Sequence, residues 1–148
     1  WNYTLHDPLK NKLNINLKYD TRDFPSLSSL CNWIKDNTPK SSIIFINDHK
    51  GNLINMPLSF AIKCFGHRAT FTDLAFPFHE SSILEWKKRN SYYNDFKLNP
   101  ISTLRYIQQK YNVTHFLITN HKNNQLKNYP YIWRSRDFTL YSLEILNY

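Results

Sequence analysis

The chain has 148 residues, 41% hydrophobic and 16% aromatic, with 19 Lys and Arg against 11 Asp and Glu. That is the size of one ordinary domain, with enough apolar content to exclude disorder, and no apolar run approaches the roughly 18 residues of a membrane span, so it reads as soluble. The formal net charge of +8 favours anionic partners, yet the basic residues are dispersed. The densest stretch, Asn120 to Arg136, weighs against a nucleic-acid partner because it holds only Lys122, Lys127, Arg134 and Arg136.

The first residues are polar, with Leu13, Ile15 and Leu17 alternating, so residues 1–24 read as a linker or a short edge strand. No charged region followed by an apolar run marks a secretory signal. A first residue of Trp suggests a piece cut from something longer. From Pro25 onward, Leu27, Leu30, Cys31 and Ile34 recur at helical spacing, and Asn37-Thr38-Pro39 ends that helix. Ser42 to Asn47 is a continuous apolar run of strand length, the pattern of a strand covered on both faces.

Asp48 to Asn52 then forms a turn. Pro57 to Phe65 reads as a short helix that closes at Gly66, placed there as a left-handed cap. Arg68 to Asp73 is a second strand, which completes a βαβ unit. A helix over Glu80 to Asn90 follows. Asn99-Pro100 opens another, with Ile101, Leu104, Ile107 and Tyr111 on one face.

Thr114 to Thr119 is a third buried strand. Tyr131–Arg134 and Phe138–Ile145 pair as a closing hairpin, the second segment patterned as a sheet edge. The expected fold of residues 25–148 is therefore one α/β domain: three-layer, Rossmann-like, with a mainly parallel sheet and an antiparallel carboxyl-terminal hairpin.

Ligands of open parallel sheets bind beyond the carboxyl ends of the strands. Asp48 and His49 stand there after the first strand, Asp73 after the second, and Asn120 and His121 after the third. Asp48, His49 and Asp73 are the candidate catalytic residues, although turns collect Asp and Asn for their own backbone partners. His67, Asp73 and His79 match no metal-ligand spacing, so no metal site is assigned. With glycine only at Gly51 and Gly66 there is no phosphate-cradling loop, and no cofactor is expected.

Cys31 and Cys64 both read as buried thiols within helices, with a bridge between them open if those helices pack side by side. Glu85 and Arg89 are spaced as an ion pair on one helix face. The Phe76-Pro77-Phe78 turn is either core lining or an exposed docking surface. Its aromatics, together with Arg89 and Lys87 or Lys88, are of the type that stacks on bases or sugars.

In order, LCNWIKDNTP, SIIFIN, FGHRATFTDLAFPF, ILEWKKR and YNVTHFLIT resemble a known pattern. It belongs to the soluble carboxyl-terminal domain of certain functionally uncharacterised bacterial membrane proteins. Many of these are cyanobacterial, and they are similar to GT-C glycosyltransferases. The residues that carry the resemblance are Cys31, Trp33, Ile34, Asn37, Thr38 and Pro39; Phe65, Arg68, Asp73, Phe76 and Pro77; and Glu85, Trp86 and Arg89.

The resemblance implies a non-catalytic domain on the periplasmic or lumenal side that helps shape an acceptor or lipid-linked sugar site. Its partners would be its own transmembrane region and anionic headgroups at the membrane surface. Read from the residues of the Phe65 to Arg89 stretch, the candidate binding residues are Arg68, Asp73, Phe76, Phe78 and Arg89. The WWDYG motif of oligosaccharyltransferases is missing, and IFINDHKG takes its place, so protein N-glycosylation is not implied. Two alternatives remain: a free-standing α/β hydrolase or transferase that uses the strand-end residues, and a basic nucleic-acid-binding module.

Overall fold

The computed structural model describes residues 24–47, 52–53, 56–72, 80–119, 126 and 128–147. Helix α1 spans Phe24–Asn37, and its buried stripe is Leu27, Leu30, Cys31 and Ile34, the residues its spacing predicts. It stops where expected, because Thr38 returns both its amide (3.1 Å) and its hydroxyl (2.7 Å) to the Ile34 carbonyl, with Pro39 next. Strand β1 is Ile43–Ile46. Two short strands, β2 (Asn52–Leu53) and β3 (Met56–Pro57), pair antiparallel. Helix α2 covers Leu58–Cys64 and strand β4 Ala69–Thr70.

Helices α3 (Glu80–Leu98) and α4 (Pro100–Tyr111) follow. The chain then runs through β5 (His115–Thr119), β6 (Trp133–Arg134) and β7 (Phe138–Ser142) to a final 3-10 turn over Leu143–Asn147. Five strands form one mixed sheet in the order β4-β1-β5-β7-β6. On one side β1 pairs parallel with both β4 and β5, and on the other β7 pairs antiparallel with both β5 and β6. The fold is thus mixed α/β, with a parallel half and an antiparallel half in place of a mainly parallel sheet. The carboxyl-terminal strand enters beside β5 in the reverse direction, which shifts the balance.

Strand alternation divides the core in two. Ile44, Ile46, Leu117, Phe138 and Leu140 face α1 and α2, where Leu30, Ile34, Leu58 and Ile62 complete an aliphatic cluster. Phe45, Phe116, Ile118 and Tyr141 face the opposite way, against Tyr93, Leu104 and Ile107 of α3 and α4. That second cluster is aromatic: Phe45 lies 4.8 Å from Tyr93, 5.5 Å from Phe96 and 5.7 Å from both Phe71 and Phe116, centroid to centroid.

Four expectations are corrected. Helix α3 continues eight residues past Asn90. Asn90 donates its side-chain amide to the Trp86 carbonyl (2.8 Å) and Ser91 its hydroxyl to Lys88 (2.8 Å), so residues that usually break helices are satisfied within this one. Strand β7 is interior and its first four residues are buried, because β6 occupies the edge.

Gly66 is not left-handed; His67 takes that conformation, at φ 51°. The glycine answers a close approach instead: a Cβ there would stand 2.7 Å from the Ile62 carbonyl oxygen of α2. Lastly, Cys64 is exposed while Cys31 is buried, and both are free thiols.

Candidate functional site

Arg68 follows α2 and precedes β4, and its side chain turns back under the end of α1. Its Nε donates to the Thr38 hydroxyl (2.9 Å), and its Nη2 donates to the carbonyls of Thr38 (2.5 Å) and Lys35 (2.8 Å). Nη1 donates to the His67 carbonyl at 2.9 Å. The guanidinium is buried and caps the last turn of α1, where helical carbonyls lack partners and the dipole favours a cation. Sequence reading offered Arg68 as a binding residue. The work visible in the structure is tying α1 to the strand that follows α2.

The carboxyl ends of β1 and β5 lie side by side. The Asn47 amide donates to the Leu117 carbonyl (3.0 Å), and its side-chain oxygen accepts from the Thr119 amide (3.1 Å). Asn47 therefore fixes the sheet edge from which the strand-end candidates depart. Asp48, His49, Asp73, Phe76 and Phe78 themselves lie outside the described residues, as do His79, Asn120 and His121. Among the described residues, no three His, Cys, Asp or Glu side chains gather as a metal site.

Arg89 stands on α3, half exposed, and the expected pair is present, with its Nε donating to Glu85 Oε1 at 2.7 Å. It does more than pair. Nη1 donates to the Phe71 carbonyl just past β4 (3.2 Å), and the guanidinium carbon lies 5.4 Å from the Phe71 ring centre and 5.2 Å from that of Tyr111. Arg89 thus joins α3 to the sheet's edge strand and to the end of α4.

Around it, α3 and α4 bring three phenols together. Tyr92 lies 5.5 Å from Tyr106 and 5.9 Å from Tyr111, and Tyr111 lies 5.2 Å from Phe71. Lys110 donates from Nζ to the Tyr106 hydroxyl at 2.7 Å and sits 5.6 Å from the Tyr111 ring centre. That ammonium lowers the pKa of Tyr106, with Tyr92 also contributing, while Lys110 is raised in turn. Burial, reinforced by the Tyr106 hydroxyl, raises Tyr92.

Nearby Lys88 adds its positive charge to the same phenol. The Tyr111 hydroxyl is buried and has no hydrogen-bond partner among the described residues. Arg89 and Lys88 were visible as candidates in sequence, but Tyr92, Tyr106 and Lys110 were missed. The signal was a Tyr-Lys-Tyr spacing on α4, Tyr106, Lys110 and Tyr111, that becomes meaningful only once α3 is extended to include Tyr92.

Residues 25–92 match a family described as a domain of unknown function (DUF6798), a little under half of the chain. The match runs from the first turn of α1 to Tyr92 and includes both Arg68 and Arg89. No curated protein matches the chain.

Proposed function

We infer that this chain is a non-catalytic extramembrane domain, on the periplasmic or lumenal side of a multi-pass membrane protein of glycosyltransferase-like type. In that role it helps shape an acceptor or lipid-linked sugar site. Its frame is read as a three-layer, Rossmann-like variant whose parallel half carries the resemblance. One observation supports the reading most: among the described residues, the charged side chains that mark the resemblance are committed to internal joints. Arg68 holds α1 to β4, and Glu85 and Arg89 hold α3 to the same strand. Residues used this way build a scaffold and are not free to act as acid, base or nucleophile.

A domain of this kind needs its membrane region elsewhere, and no helix among the described residues is long and apolar enough to cross a bilayer. The two thiols provide a test. Cys64 is exposed, whereas Cys31 is buried, donates toward the Ala61 carbonyl at 3.6 Å, and has its pKa pushed up to about 11 by burial. In the full-length gene product, with cysteines outside this chain replaced, a membrane-impermeant maleimide should label Cys64 in intact spheroplasts. Cys64→Ser should abolish the signal. Labelling only after lysis, or recovery of the product in the soluble fraction, would overturn the reading.

A further inference from the structure

The outer face of the α3–α4 hairpin collects more positive charge than it neutralises. Arg89 and Lys110 lie 5.2 Å and 5.6 Å from the Tyr111 ring centre, Lys88 stands one turn before Tyr92 on α3, whose ring is 5.5 Å from that of Tyr106, and Glu85 is engaged by Arg89 at 2.7 Å. Among the described residues, neither Lys88 nor Lys110 has a carboxylate partner. Like charges held together at a surface favour a bound anion.

The same spot offers phenol groups as well. Tyr106 is 44% exposed and presents both ring and hydroxyl, while the buried hydroxyl of Tyr111 has no partner among the described residues. From Tyr106 an open depression of about 620 Å³ runs along α4 between Asn99 and Gln109, with Arg105 in its wall.

We propose that this face is a phosphate-ester site. Lys88 and Lys110 hold the phosphate as compact point charges, Tyr106 donates to it, and the ester's organic group lies on the Tyr106 ring and along α4. Phosphate is the chemistry shared by a soluble sugar phosphate and a lipid headgroup. Only the assignment to a lipid-linked donor rests on the extramembrane reading; the site itself does not.

The test is calorimetric titration of the 148-residue chain at low salt with inorganic pyrophosphate, with glucose 1-phosphate, and with phosphatidylcholine vesicles with and without phosphatidic acid. Binding of at least one phosphate probe is expected, weakened about tenfold or more by Lys88→Gln with Lys110→Gln, since removing one charged hydrogen bond costs roughly that factor. Tyr106→Phe should weaken it less. Lys97→Gln, on α3 with Lys88 but nine residues further along that helix, should leave it unchanged.

Tighter binding of the sugar phosphate marks a soluble ester, and dependence on phosphatidic acid marks a headgroup; either supports the site. Absence of binding by every probe overturns it, as does equal weakening by Lys97→Gln, which would reveal diffuse charge alone. The Cys64 labelling is independent. Phosphate binding together with a cytosol-facing Cys64 would keep the site and remove the extramembrane reading, and the converse result would do the reverse.

Discussion

The two faces of the sheet use opposite chemistries. Against α1 and α2 the core is aliphatic, and the polar group that closes it, Arg68, is buried with its donors met by carbonyls and one hydroxyl. Against α3 and α4 the core is aromatic, and its rings grade outward into phenols and half-exposed cations at Tyr92, Tyr106 and Arg89. Aliphatic side chains end in methyl groups and can only seal. Tyrosines carry the apolar core to the surface with a polar atom attached, so a face built from them can be both core and binding surface. The sealed face therefore serves stability and the graded face is the one able to meet a ligand.

Breaking the sealed face should cost most. Arg68→Ala leaves the Lys35 and Thr38 carbonyls without their buried donor, and a loss of about 3 kcal/mol in urea unfolding is expected. Arg68→Lys should recover only part of that. One ammonium cannot reach the hydroxyl and the three closest carbonyls from a single point, whereas the planar guanidinium fork does. Full recovery with lysine would mean that charge at the end of α1, and not the hydrogen-bond geometry, carries the effect.

The aromatic face should yield less to a single change. Phe45→Leu keeps the site apolar and removes one ring from contact with four others. Ring pairs add about 0.5–1.5 kcal/mol beyond area, so a loss of about 1–2 kcal/mol is expected, measured in the same way. Because Tyr93 and Phe96 lie on α3, this substitution should also loosen the helix hairpin and lower affinity at Lys88 and Lys110. Arg68→Ala, acting on the other face, should leave that affinity unchanged in the folded fraction. Equal effects on binding from both variants would dissolve the distinction between the faces.

Much of the frame was legible because it is local. The runs at Ile43–Ile46 and His115–Thr119, the stripe of α1 and the Asn99-Pro100 start of α4 each announce themselves within a dozen residues. What stayed hidden depends on separation in sequence. Arg68 meets Thr38 thirty residues upstream, and nothing in RATFTD distinguishes a capping arginine from a ligand-binding one. The tyrosine cluster was hidden for a related reason. Ending α3 at Asn90 cuts the helix before Tyr92, and without Tyr92 the phenols of α4 have no opposing face. Gly66 shows the same limit, since its position suggested a backbone angle and the structure shows a steric contact with Ile62.

The smallest effect concerns the seam between the two halves of the sheet. His115 opens β5, pairs with Ile44 on the parallel side and with Ser142 on the antiparallel side, and is buried with Nδ1 2.8 Å from the Thr114 hydroxyl. Burial lowers its pKa from the ordinary 6.5; Glu144 opposes that shift and Arg68 adds to it. The folded state therefore favours the neutral ring. Well above pH 6.5 the ring is neutral in folded and unfolded chains alike, and there it carries no pH dependence. As the pH falls below that value the unfolded chain takes up the proton first, so stability declines until the folded ring titrates as well. His115→Gln should flatten this part of the slope when urea midpoints are compared between pH 7 and pH 5. An unchanged slope would place the titration elsewhere and leave the seam between the two halves insensitive to pH.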